Sequence, residues 1–277
     1  MSVKQTSVGD TGYVLGHRDT EIQRLLLQGR LYNDFTEHAL RLAGLRPGMR
    51  VLDVGCGPGD VSIIAARLVG REGAVLGVDA AADVIELART RAAHHGLHNV
   101  GFEAAPIADI RLDEPVDAVI GRLILMHLPD PVAALRHLAA TVRPGGLIAF
   151  CESDINGAYN FTDLPLFAAM KETVAKAFQA VGVDPAFGAK LPTLFRRAGL
   201  DAPRLTLGAP LGGPGDADIS AYVAETWRSV FPVAQGLGLV PDELADLDTL
   251  RARLHDEAAT SHTVVVMPPL ICAWTTV

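Results

Sequence analysis

The sequence is short of the features that mark several common protein classes. It has three cysteines, Cys56, Cys151 and Cys272, an odd number with no C-x-x-C spacing, so neither a disulfide framework nor a zinc site is suggested. No window is apolar over the length needed to cross a bilayer, and the opening residues, MSVKQTSVGDTGY, hold no apolar core of a signal peptide. A cytoplasmic protein that does not enter the membrane is expected. No basic run occurs: 24 Lys and Arg stand against 32 Asp and Glu, a net charge of −8, which argues against tracking nucleic-acid phosphates and favours a neutral or cationic small partner. The triplets Gly-Lys-Ser and Gly-Lys-Thr are absent, as are repeats and low-complexity tracts.

What remains is a chain of 277 residues, 49% hydrophobic and 20% charged, long enough for one large α/β domain with additions or for two small ones. Its most informative stretch is Arg50 to Asp60, RVLDVGCGPGD. Val51, Leu52 and Val54 form a short apolar run like a buried parallel strand, glycines follow at 55, 57 and 59, and Val61, Ile64, Ala65 and Leu68 then recur at helical spacing. Strand, bare loop and helix in that order make a place where a ligand lies against main chain, because a Cβ would block close approach or forbid positive φ. Cys56 within the loop reads as a small filler before it reads as a reactive thiol. The dinucleotide fingerprint G-x-G-x-x-G requires a third glycine at position 60, where the chain has Asp60. A carboxylate there also opposes a pyrophosphate at the helix start. An NAD-linked oxidoreductase is therefore the alternative reading. Ala74 to Val78 should be the second strand, and Asp79 at its end faces the crevice where it can accept both ribose hydroxyls of any adenosine ligand.

The segment D-V-G-C-G-P-G resembles the first motif of class I S-adenosylmethionine-dependent methyltransferases of the bacterial small-molecule type. RPGG at 143–146 and LPTLFRRAGL at 191–200 also resemble that family. The resemblance implies an α/β fold, a doubly wound, seven-stranded, mostly parallel Rossmann-like sheet, with S-adenosyl-L-methionine as cofactor and S-adenosyl-L-homocysteine as product. It assigns cofactor contacts to Asp53, Gly55, Cys56, Gly57, Gly59, Asp79 and Ala80. Tyr13, Glu21, Arg24, Leu25 and Gln28 resemble a segment that closes over the cofactor in some of these enzymes, with Tyr13, Arg24 and Gln28 at the site and Arg24 meeting the methionine carboxylate. The usual adenine-binding Asp is replaced by Pro106, which leaves Ile107 to pack on the ring, main chain to supply the polar contact and Asp109 as the nearest spare carboxylate. Gly121 and Arg122 would approach the cofactor's amino group through their carbonyl oxygens.

No [DN]-P-P-[YF] motif follows the fourth strand, so nucleic-acid bases are unfavourable acceptors. Met126 and His127 sit where an acceptor would meet the sulfonium, and His127 is the candidate general base, with simple packing as its competing role. Tyr159, Tyr222, Trp227 and Arg228 are candidate acceptor contacts. Metal is not expected, either at His94, His95 and His98 or at the alternating Glu152, Asp154 and Asn156.

The chain divides into an N-terminal helical cap (1–44), a cofactor-binding core (45–156), a helical insertion serving as a lid (157–190), and the end of the core sheet with a second insertion (191–277). The cap is expected as two helical runs meeting at Gly29. Phe167, Met170, Val174, Ala177, Phe178 and Val181 mark one amphipathic insertion helix, and Leu244, Leu247, Leu250, Leu254 and Ala258 another. Thr263–Met267 reads as a strand broken by Pro268 and Pro269, followed by a final reversed strand. The expected chemistry is an in-line displacement onto an oxygen, nitrogen or carbanion of a small-molecule acceptor, with a non-catalytic cofactor-binding protein as a further alternative and a monomer or homodimer as the assembly.

Overall fold

A computed structural model describes residues 18–160 and 164–277. Tyr13 lies outside the described residues. A helix α1 (Arg18–Ala43) precedes β1 (Arg50–Val54), α2 (Asp60–Val69), β2 (Ala74–Asp79), α3 (Ala82–His94), β3 (Val100–Ala104), β4 (Val116–Arg122), α4 (Pro131–Ala139) and β5 (Val142–Ser153). There follow β6 (Tyr159–Asn160), α5 (Pro165–Ala180), α6 (Leu191–Arg197), β7 (Arg204–Gly208), β8 (Leu211–Gly212), α7 (Ala217–Gly236), α8 (Leu250–Ser261), β9 (Val265–Val266) and β10 (Leu270–Thr276).

The main sheet has seven strands in the order β3-β2-β1-β4-β5-β10-β7. β1 to β5 run parallel, and β10 is antiparallel to both β5 and β7. The seven-stranded doubly wound reading holds. The order reverses between β1 and β4, so the loops leaving these two strands turn apart and leave a crevice at their carboxyl ends. The short strands β6, β9 and β8 form a second sheet, so the run read as one strand over Thr263–Met267 contributes only Val265 and Val266 to it.

Alternation along β1 feeds two layers. Leu52 and Val54 join the core that includes α5 and α7, whereas Val51 joins the layer under α2. β5 begins five residues earlier than its apolar run suggests, because the RPGG segment continues the pairing past a register shift opposite Val116 and Ala118.

Three local expectations are corrected. The cap is one continuous helix through Gly29, whose absent side chain lets α1 lie on α2: a Cβ there would come within 2.5 Å of Asp60 Oδ1. Leu244 and Leu247 precede α8 instead of belonging to it, and Leu244 is fully buried in its own short turn. Cys151 and Cys272 are disulfide-bonded, since antiparallel β10 places Cys272 directly beside Cys151 with Cα atoms 4.0 Å apart. They are 121 residues apart, so their pairing follows from the register of β10 on β5 and from no local spacing.

Candidate active site

The glycine loop follows β1 with positive φ at Gly55 (64°), Gly57 (50°) and Gly59 (85°). The three have separate reasons. A Cβ on Gly55 would meet Ile124 Cγ1 at 2.5 Å, and one on Gly59 would press on Ala88 and Phe102. One on Gly57 would meet nothing within 4 Å. Gly57 thus turns bare main chain toward open space, while the other two admit neighbouring elements. The loop is fixed from two sides. The Asp79 carboxylate accepts from Gly57 N–H at 2.9 Å and Ala81 N–H at 3.0 Å. Arg91 of α3 donates to the Pro58 carbonyl and, at 3.0 and 2.8 Å, to both oxygens of Asp60. Arg91 was not singled out from the sequence, and its place in the last turn of α3 gives no hint of that reach.

A cavity of about 1400 Å³ opens on this loop. That exceeds the ~300–1,000 Å³ of an ordinary single-ligand pocket and leaves room for two molecules side by side. It is bordered by Arg24, Gln28, Gly55, Cys56 and Gly57, by Asp79, Ala80, Pro106, Ile107 and Arg122, and by Met126, His127 and Tyr222. Four expected site residues stand away from it. Asp53 is buried behind the loop, where it accepts from Ser62 Oγ at 2.5 Å, and Gly59 faces Ala88 and Phe102. Trp227 is fully buried and donates to the Leu244 carbonyl at 2.8 Å, and Arg228 turns to Leu247 and Glu225. Tyr222, Trp227 and Arg228 share one helix, and the sequence does not say which side of α7 faces the cavity. Tyr159 lies in β6, paired with Val266. Asp109 is exposed and does not border the cavity, so it makes no substitute for the adenine carboxylate.

α1 supplies a buried polar row. Arg24 holds Glu21 at 2.6 and 2.9 Å and donates to Gln28 Oε1 at 2.7 Å, while Ser229 Oγ donates to Glu21 at 3.2 Å and Tyr222 reaches Gln28 at 3.4 Å. These residues lie at helical spacing on one face of α1, against α7. One turn on, Tyr32 OH donates to the Pro268 carbonyl at 2.8 Å, and burial raises the phenol's pKa well above its ordinary value. Arg122, buried at the end of β4, donates to Asn33 at 3.0 Å and Thr36 at 2.8 Å, tying the core strand to the cap.

Beyond β4, Leu123 takes a positive φ of 55° and Leu125–His127 forms a short turn. Glu152 lies beneath it, fully buried, its Oε1 accepting from Ile124 N–H at 3.1 Å and Leu125 N–H at 2.8 Å. Burial drives the Glu152 carboxyl up to about 8 against the opposing pull of these N–H donors. Asp154, by contrast, accepts from its own Asn156 N–H, so the alternating Glu152, Asp154 and Asn156 do not converge. Among the described residues no group of three His, Cys, Asp or Glu side chains could hold a metal ion. Burial, and next the charge of Arg24, pull His127 down to about 4. Burial pushes the Asp53 carboxyl up to about 7 and raises the Cys56 thiol, so Cys56 is no reactive thiolate.

Bare loop, acidic strand end and open crevice match what the sequence motif implies, and the family profile of the methyltransferase domain matches residues 45–199. The chain belongs to that family. Its sheet and glycine loop are those of the class I S-adenosylmethionine-dependent methyltransferase fold. It is similar to aklanonic acid methyltransferase DauC of Streptomyces sp. (strain C5), with 39% identity over 119 residues, covering 43% of this chain and 54% of the relative. Ubiquinone biosynthesis O-methyltransferase of Neisseria meningitidis serogroup A is 38% identical over 107 residues, covering 37% of this chain and 43% of the relative. The matches thus span about half the length of these relatives. A methyltransferase from Aquifex aeolicus shares the fold with a TM-score of 0.53 at 22% identity, over 70% of this chain and 92% of that one. No helix of the described residues is long and apolar enough to cross a membrane.

Proposed function

We propose that this methyltransferase transfers a methyl group from S-adenosylmethionine to a small, largely apolar acceptor held in the cavity beside the glycine loop. The observation that carries this reading is one continuous cavity with two kinds of wall. One wall carries Gly57, Asp79 and Pro106, and the other is an apolar set from α5 and the β9–β10 segment, including Phe167, Met170, Val174, Phe178, Val266 and Met267.

The first wall fits the cofactor, because Gly57 offers main chain that no Cβ obstructs and Asp79 presents a carboxylate at the carboxyl end of β2. Asp79 and Ala80 would hold the ribose, Pro106 and Ile107 the adenine, and Arg24 with Gln28 the methionine carboxylate. When bound, S-adenosylmethionine supplies a methyl group already activated by a positive sulfur. The chain's own contribution is alignment and exclusion of water: α1, α5 and α7 wall the acceptor end, and Glu152 fixes the turn that carries Met126 and His127.

His127 is neutral throughout the physiological range, because its pKa is held near 4. An imidazole of that pKa accepts a hydrogen bond from an acceptor hydroxyl well and removes its proton poorly, so we assign it orientation of the reacting atom. Replacing it by alanine should lower kcat/KM, while wild type and variant keep the same rate profile between pH 6 and 8. A wild-type inflection near pH 6.5 that vanishes in His127→Ala would contradict the assignment. The reading as a whole is tested by incubating the protein with methyl-labelled S-adenosylmethionine and fused-ring phenols, amines and quinones. Label transfer to one of these classes is expected. Cofactor binding without transfer to any of them would favour a non-catalytic binding protein.

A further inference from the structure

The inward stripe of α5 carries one residue that does not belong to an apolar wall. Phe167, Met170, Val174 and Phe178 recur at helical spacing along the cavity, and Lys171, one turn beyond Phe167, borders the same space. Its ammonium donates to the Ala158 carbonyl at 3.0 Å. An ammonium has three donors, so one main-chain contact leaves most of its capacity unused in a half-buried position. No carboxylate pairs with it among the described residues, whereas Lys176 and Lys190 are each ion-paired, with Glu172 and Asp184. The other charged groups on the cavity among the described residues, Glu21, Arg24, Asp60, Asp79, Asp83 and Arg122, come from α1, the ends of β2 and β4 and the first turns of α2 and α3. Of the described cavity-lining residues beyond position 150, Lys171 alone is charged.

We propose that the acceptor is an apolar molecule bearing an anionic group, a carboxylate or an acidic phenolate, and that Lys171 binds that group. This rests on the reading of the cavity as an acceptor site. The overall charge of −8 suggested a neutral or cationic acceptor, but that charge is spread over the whole molecule, and the field inside a low-dielectric chamber is set by the nearest groups. A lysine placed only to tie α5 to Ala158 would make no distinction between charged and neutral ligands.

Two fluorescent probes that differ by a single anionic group separate these roles: 8-anilinonaphthalene-1-sulfonate and the neutral N-phenyl-1-naphthylamine. Each is titrated with and without S-adenosylhomocysteine. The wild type should bind the sulfonate about tenfold more tightly than the neutral probe, the gain expected of one charge-assisted hydrogen bond. Lys171→Met and Lys171→Gln should erase that preference without weakening the neutral probe, and Lys171→Arg should keep it. Equal affinities in the wild type, or a preference that survives both neutral substitutions, would overturn the proposal. The outcomes are distinguishable from failure of the methyltransferase reading, because that failure shows as loss of S-adenosylhomocysteine binding by the wild type, whatever the ratio between the probes.

Discussion

Replacing Glu152 by glutamine is expected to stabilise the protein by several kcal/mol at pH 8 and by far less at pH 4.5. The Glu152 carboxyl is fully buried with its pKa raised from 4.5 to about 8, and among the described residues only main-chain N–H groups oppose the effect of burial. A raised carboxyl pKa means that the fold prefers the protonated form. Its contribution is complete below the unfolded-state value near 4.5 and is lost as pH rises through about 8. A gap of that size corresponds to on the order of 4–5 kcal/mol at the alkaline end. Glutamine does not titrate, and its carbonyl can still accept from Ile124 N–H and Leu125 N–H. Urea denaturation of both proteins across pH 4.5 to 8 isolates this one group, because every other titrating residue is common to the pair. Parallel curves would show that Glu152 is ionised in the native state. Glu152→Ala also removes the titrating group, so its difference from the wild type shifts with pH in the same direction, but at pH 4.5 it costs about 1–3 kcal/mol, because it leaves the Ile124 and Leu125 N–H groups without this acceptor and loosens the turn carrying Met126 and His127.

The second large effect separates two glycines that look alike in the sequence. Gly55→Ala should destabilise the protein by about 2–5 kcal/mol, the sum of ~1–2 for a left-handed alanine and ~1–3 for crowding Ile124, whose Cγ1 lies 2.5 Å from the added carbon. Gly57→Ala meets no neighbour within 4 Å, so it carries the backbone cost alone, and its methyl group enters the space assigned to the cofactor. Thermal melts should therefore fall further for Gly55→Ala, and S-adenosylhomocysteine affinity should fall even where Gly57→Ala remains folded. If Gly57→Ala bound the product as tightly as the wild type, the ligand would not lie against that main chain.

The contrast also shows what a linear sequence can carry. The loop, Asp79 and the sheet were legible because strand periodicity, alternating glycines and an acid at a strand end are local signals. Gly29 was readable only as a weak point in a helix, since its purpose is the approach of Asp60 from 31 residues away. Arg91, Tyr32 and the buried position of Glu152 depend on how distant elements meet, as does the pairing of Cys151 with Cys272. Trp227 illustrates the opposite error. A large aromatic near Tyr222 is a candidate acceptor contact in the sequence, yet its indole N–H is satisfied by Leu244 inside the core. Lys171 was passed over because the apolar stripe around it defined the helix, although a lone cation on such a stripe is itself visible in the sequence.

The central claim is that the bare loop and Asp79 together form an S-adenosylmethionine site. Calorimetric titration of the purified protein with S-adenosylmethionine, S-adenosylhomocysteine and NAD, repeated with Asp79→Ala, tests it most directly. Asp79 accepts from Gly57 N–H and faces the cavity, so its loss removes both a ligand contact and a tether of the loop. The account predicts binding of the first two ligands with no measurable binding of NAD, and a loss of at least about 100-fold in the variant, of the order expected for a carboxylate taking two hydroxyls. Binding of NAD alone, or product affinity unchanged in Asp79→Ala, would contradict it.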